Sequence, residues 1–196
     1  MSRPGKRVSG ENCSGMSIEV QEMATERHVT IPESVRLELD GSVLKVKGPN
    51  GELERNLWFP QVTVKIGDGE VVISTQSDRK QVIAIVGTFA AHVTNMCTGV
   101  TQGFEYRMKV VYSHFPIQLK LQGKRLEIAN FLGEKKPRYA GIENGVAAKV
   151  GNDEIVLTGI DKELLGITSA NIEHATKIRN RDPRIFQDGI YIVHKG

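Results

Sequence analysis

Residues 35–46 read VRLELDGSVLKV, and residues 117–128 read IQLKLQGKRLEI. Their apolar positions coincide and Gly41 falls on Gly123, at a shift of 117 − 35 = 82. A second pair follows: VTVKIGDGEVVIS at 62–74 matches VAAKVGNDEIVLT at 146–158, with 146 − 62 = 84. The two extra residues place a small insertion between the blocks of the second copy. A period this long, occurring twice, marks a duplicated domain, because solenoids use shorter units and more copies. What the copies share is mostly core and turn, so function is sought in what they do not share.

Around these blocks the apolar spacing alternates between two periods. Val35, Leu37 and Leu39 alternate with polar residues, and Val43 to Lys47 returns after Gly41. Pro49-Asn50-Gly51 and Gly67-Asp68-Gly69 carry hairpin chemistry. The period then lengthens through Val82, Ile83, Val86, Phe89, Val93 and Met96, which predicts a helix capped by Ser77 or Asp78 and ending near Gly99 or Gly103. The second copy repeats this order from Phe104, with Asp161 capping a helix from Lys162 to about Ile178 and a short strand expected over residues 190–193. The expected class is α+β: two tandem similar domains, each a mostly antiparallel β-sheet with one long helix packed on one face. Expected boundaries are a disordered extension over residues 1–16, an N-terminal repeat over 17–101 and a C-terminal repeat over 102–196.

Composition narrows the function classes. A net charge of +3 over 196 residues is a weak global bias toward polyanions, so a nucleic-acid site must come from local clustering. Cys13 and Cys97 form no CxxC pair and have no His at metal spacing, which fits a reducing compartment with no disulfide framework and no zinc. No run reaches the roughly 18 apolar residues of a membrane span, so no membrane partner is expected. The chain carries no GxxxxGK[ST], no GxGxxG between strand and helix and no HExxH. Its five histidines are scattered, with His92 and His174 at matching helix positions that suit packing or surface roles. No catalytic residue, cofactor or small-molecule substrate is expected, and the chain is not read as an enzyme.

Two basic clusters remain, both in the second copy. After the second helix come Lys177, Arg179, Arg181 and Arg184, with Asp182 as the acid among them. Asn180 and Pro183 break helical continuity there, so these side chains project from an irregular segment suited to phosphate oxygens. The bland reading is a solvated helix end whose cations meet the helix C-terminus. Residues 133–139, GEKKPRY, add Lys135, Lys136, Arg138 and Tyr139, where residues 51–55 of the first copy, GELER, have fewer cations. Enrichment of one copy points its domain at the polyanion, and Tyr139 is either a stacking surface or core rim.

Residues 184–191, RIFQDGIY, resemble the archaeal and eukaryotic signature of large-subunit ribosomal protein L-six, called L-nine in eukaryotes. VKGPNG at 46–51, GVTQGF at 99–104 and LGITSANI at 165–172 look like the same family, and the likeness covers residues 16–193. The resemblance implies a cytoplasmic, ribosomal protein of two similar α+β domains. Its partners would be large-subunit ribosomal RNA of the 23S type, near the sarcin–ricin loop and stalk base that support the translation-factor site, and neighbouring large-subunit proteins. It implies RNA contacts at Lys177, Arg179, Arg181, Arg184 and Gly189, joined by Lys135, Lys136, Arg138 and Tyr139. Asp188-Gly189 is expected to fix a turn that aims the segment, with Phe186 and Tyr191 pinning it to the sheet. The competing expectation is a protein–protein adaptor without direct RNA contact, its repeats supplying two binding faces.

Overall fold

A computed structural model of the chain describes residues 25–67, 69–112, 115–179, 181–182 and 184–196. The expected extension over residues 1–16 lies outside them, as do Cys13, Asp68 and His114. The first unit contains β1 (Thr25–Thr30), β2 (Arg36–Asp40), β3 (Val43–Gly48), β4 (Gly51–Asn56), β5 (Val62–Ile66), β6 (Glu70–Thr75) and α1 (Lys80–Thr101). The second repeats this order with β7 (Phe104–Val111), β8 (Gln118–Gln122), β9 (Arg125–Ala129), β10 (Arg138–Gly141), β11 (Val146–Val150), β12 (Glu154–Gly159) and α2 (Lys162–Ala175), then adds β13 (Gly189–Lys195). All strand pairs are antiparallel.

Each unit divides its strands between two small sheets. The first has orders β1-β6-β5 and β2-β3-β4; the second has β10-β9-β8 and β11-β12-β7-β13. Period-two alternation fixes which face is inside: Leu44 and Val46 of β3 are buried, as are Val71 and Ile73 of β6. Leu126, Ile128, Ile155 and Leu157 are their counterparts in the second unit. The repeated turns sit at Gly41 and Gly123, both at positive φ.

The two helices start differently. Asp161 accepts a hydrogen bond from the Glu163 N–H at 2.8 Å, as its sequence position predicts. The expected cap on α1 is absent: its N-cap residue is Arg79, with no side-chain cap. Ser77 sits too early, its N–H held by Thr75 Oγ1 at 3.2 Å, while Thr75 itself donates to the Gln61 carbonyl of the preceding sheet. α1 is long and apolar enough, by length and composition, to cross a membrane, which the sequence reading did not anticipate. Its Val82, Val86, Val93, Met96, Cys97 and Val100 stripe is buried in the first unit's core. Four threonines on the helix, Thr88, Thr94, Thr98 and Thr101, return their hydroxyls to the carbonyl four residues back.

The joint between the units is close-packed. A Cβ on Gly99 would collide with the Ile160 carbonyl, and one on Gly51 would lie 2.9 Å from the Ile160 side chain; within the first unit, one on Gly48 would lie 2.7–2.9 Å from Val100. Asn50 donates its backbone N–H to the Val100 carbonyl and its amide to that of Thr101, both at 3.0 Å. The VKGPNG and GVTQGF stretches therefore meet each other. Beside them, Arg55 of β4 pairs with Glu163 of α2, and Glu163 also lies 3.6 Å from His92 of α1. Arg55 donates to His92 Nδ1 at 2.8 Å, and because a guanidinium has no acceptor, that nitrogen must be unprotonated. Burial first, then the Arg55 charge, pulls the His92 pKa below its ordinary 6.5.

Candidate nucleic-acid interface

Pairing registers locate the insertion. Val46 faces Leu53 in the first unit, and Ile128 faces Arg138 in the second; 138 − 128 = 10 against 53 − 46 = 7. The β9–β10 connection is therefore three residues longer, and one residue is lost before β11, which gives the net two seen in the sequence. Those added residues make a built loop rather than a loose one. Phe131 and Leu132 plunge into the core within a single 3₁₀ turn, Phe131–Gly133. Asn130 and Leu132 adopt left-handed φ of 59° and 50°. Such backbone costs about 1–3 kcal/mol per non-glycine residue, and burial of Phe131 and Leu132 offsets it. Asn130 adds a hydrogen bond from its amide to the Pro116 carbonyl at 3.0 Å.

Arg138 is the hub of this loop. Its guanidinium donates to both Glu134 oxygens at 2.9 and 2.5 Å and stacks 4.3 Å from the Phe131 ring centre. Its remaining terminal nitrogen donates to the carbonyls of Ala175 at 3.0 Å and Lys177 at 3.1 Å. The Arg138 hydrogen bonds hold the Glu134 carboxyl below its usual range, and the Arg138 and Arg181 charges add to that pull against desolvation. Thus the loop and the basic segment, expected separately, are brought side by side. Lys135 and Lys136 are exposed beyond the hub, and Tyr139 is 55% exposed on the outer sheet face.

The basic segment is fastened at both ends. α2 stops at Ala175, short of the expected Ile178, because Thr176 ends it. The Thr176 hydroxyl donates back to the Glu173 carbonyl at 3.1 Å and accepts the Ile190 N–H at 3.2 Å. Glu173 accepts the Ile192 N–H at 3.2 Å. Two N–H groups near the start of β13, those of Ile190 and Ile192, are thereby satisfied. Between these anchors a turn is made at Asp182. Asp182 Oδ1 accepts from the Arg184 N–H at 2.9 Å and its carbonyl from Phe186 at 3.0 Å. Asn180 and Pro183 lie outside the described residues.

Side-chain placement sorts the expected contacts. Lys177, Arg179, Arg181 and Arg184 are all exposed, and Arg181 stacks 4.8 Å from the Phe186 ring centre. Among the described residues, the ion pairs within this unit join Arg107 to Glu105 and Arg138 to Glu134, and none of those four cations is in either pair. Gly189 is buried and opens β13 opposite Val111, so it offers no surface to a ligand. A Cβ there would lie 3.0 Å from the Tyr191 ring, whose hydroxyl donates to the Gln187 carbonyl at 3.2 Å. Tyr191 thus pins the segment, as anticipated. Arg138 is likewise committed within the fold. Its role was missed because its carbonyl partners lie 37 and 39 residues away.

The pattern describing the family "Ribosomal protein L6" matches residues 31–103 and again 115–189, one match per unit. This chain belongs to the ribosomal protein L6 family. L6 relatives similar to it carry the name large ribosomal subunit protein uL6. That of Methanospirillum hungatei is 58% identical over 88% of this chain and 98% of its own length. The Methanothrix thermoacetophila protein is 53% identical over 86% and 96%, and that of Methanosarcina mazei 52% over 90% and 99%. Two copies of one L6 pattern account for the duplication, and the β9–β10 insertion and the β13 segment are where the L6 copies diverge.

Proposed function

We propose that this chain is a structural constituent of the large ribosomal subunit, working in the cytoplasm. It holds large-subunit ribosomal RNA near the sarcin–ricin loop and stalk base, where it supports the translation-factor site. The single observation that carries the reading is the Arg138 hub, which sets an inserted basic loop against a basic segment fastened at both ends. Exposed cations on a rigid frame neutralise phosphates and release counterions without ordering a flexible tail. Lys135, Lys136, Lys177, Arg179, Arg181 and Arg184 are the proposed RNA contacts, with Tyr139 as a stacking surface. Arg138 and Gly189 position them. The division at residues 17–101 and 102–196 makes the second repeat the RNA-facing domain and leaves the first to neighbouring large-subunit proteins. No step of this role calls for a cofactor or a catalytic group.

The test is binding of the full chain to a large-subunit RNA fragment spanning the sarcin–ricin region, titrated against salt. Arg179→Ala with Arg184→Ala should reduce the slope of log affinity against log salt by about 1.4–1.8, two phosphate contacts' worth. An unchanged slope would remove the segment from the interface. The adaptor reading has one observation in its favour, Trp58 at 68% exposure in the first unit. Chain purified free of RNA at low salt would give that reading the lead.

A further inference from the structure

We propose that the groove between the end of α2 and the returning segment accepts one unpaired nucleobase of the bound RNA, which rests on the reading of this segment as an RNA surface. The groove encloses about 460 Å³, ample for a single base. Its floor is apolar, made by Ile178, Phe186 and Ile190. An apolar floor with an aromatic ring suits the π-face of a base, and Arg181 already stacks on that ring at 4.8 Å. Its rim is polar, where the Gln187 amide and the His174 imidazole can meet a Watson–Crick edge.

Charge favours this occupant. Lys177 is on the rim, and Arg179, Arg181 and Arg184 are exposed along the segment that closes the groove, placed for flanking phosphates. The nearby carboxylates are already engaged or buried: Glu173 accepts the Ile192 N–H, Asp182 the Arg184 N–H and Glu134 the Arg138 guanidinium, and Asp188 is buried. Two other cavities are lined differently. The one over β5 and β6 is lined by Thr63, Ser74, Gln76 and Ser77, and the cleft at the joint holds the Arg55, His92 and Glu163 cluster. A paired duplex cannot place a base here. An unpaired base splayed from a loop or bulge can, and that is how proteins read RNA sequence.

The experiment binds the full-length protein to large-subunit ribosomal RNA and reads two footprints. Hydroxyl radicals report the backbone; dimethyl sulfate and a carbodiimide report the Watson–Crick edges of all four bases. The wild type should protect at least one unpaired base. Phe186→Leu keeps apolar volume but removes the ring. It should expose that base and weaken binding about tenfold, within the range of one lost stack, with the backbone footprint and salt slope unchanged. Gln187→Ala, at an exposed side chain, should raise the same base's reactivity if Phe186→Leu disturbs folding. A backbone footprint with no protected base, or with protection unmoved by both variants, overturns the groove assignment alone. A wild type with no backbone footprint overturns the RNA reading beneath it.

Discussion

The β3–β4 hairpin and the β9–β10 hairpin occupy equivalent places in the two units and carry different charge. On the outer face of the first unit's sheet lie Arg36, Lys45 and Lys47 with Glu38, Asp40, Glu52 and Glu54, so 3 − 4 leaves −1. These charges answer one another, Lys47 with Glu38 at 3.1 Å and Lys45 with Asp40 at 4.0 Å. In the second unit the matching face carries Lys120 and Arg125 against Glu127, and 2 − 1 leaves +1. Tyr139 stands where the first unit has Glu54, each opposite the equivalent residue of the middle strand. Three extra residues in one connection, plus a few charge replacements, separate a self-neutralised face from one open to a polyanion. A duplicated core can therefore be kept while surface charge changes in a single hairpin.

That comparison presumes a rigid frame, and the sharpest way to break it is at the joint. Gly99→Ala should cost about 3 kcal/mol, the top of the overpacking range, because a Cβ there meets backbone that cannot rotate away. Gly87→Ala, in the same helix with open space around its Cβ, should instead stabilise by about 0.5–1 kcal/mol. Urea midpoints of the two variants check this directly, and similar shifts would show that the joint yields. Next in size is the contrast between hairpins. Lys135→Ala with Lys136→Ala should lower the RNA salt slope by about 1.4–1.8, whereas Lys45→Ala with Lys47→Ala should leave it in place. Equal effects from both pairs would erase the distinction between the faces.

The helix starts give a smaller effect. Asp161→Ala should cost about 1 kcal/mol in thermal unfolding, and Ser77→Ala only a few tenths, since only Asp161 caps a helix. A comparable loss from Ser77→Ala would mean that the two helices begin alike. The smallest effect is expected at His92. Its folded pKa lies below the ordinary 6.5, so the unfolded chain binds the proton more readily. Stability should fall as pH drops below 6.5 and level off below the depressed folded value. Arg55, Glu163 and Asp161 face the ring, and Glu163 and Asp161 oppose the Arg55 effect, which keeps the slope shallow. His92→Gln should flatten that slope below pH 6.5, and parallel curves for the two proteins would discard the assignment.

The duplication was legible because core and turn positions obey local rules. Period two placed Leu44 and Val46 inside, Gly41 and Gly123 turned the hairpins, and Asp161 announced α2. The extra strand was legible too, though its length was not, since pairing with β7 extends it to residues 189–195. What escaped notice depends on partners far along the chain. Arg138 reads as one more cation until the carbonyls of Ala175 and Lys177 stand beside it. VKGPNG and GVTQGF resemble family motifs, and only the structure shows Asn50 of one donating to the Val100 and Thr101 carbonyls of the other. The end of α2 was overestimated because Ile178 fits the helical period, and nothing local reveals that Thr176 is claimed by Ile190.

Strand β13 has one more consequence, for the order in which the chain can fold during synthesis. The widest strand pairing in the first unit joins Thr25 to Thr75, 75 − 25 = 50 residues apart. In the second, Tyr106 must wait for Lys195, 195 − 106 = 89 residues later. The first unit can therefore close soon after α1 emerges, while the second stays open at β7 until β13 is made. A chain cut short before β13 keeps an unpaired edge on β7 and has nothing to draw its cationic arch into shape. Closure of the second unit is thus tied to the synthesis of one seven-residue strand.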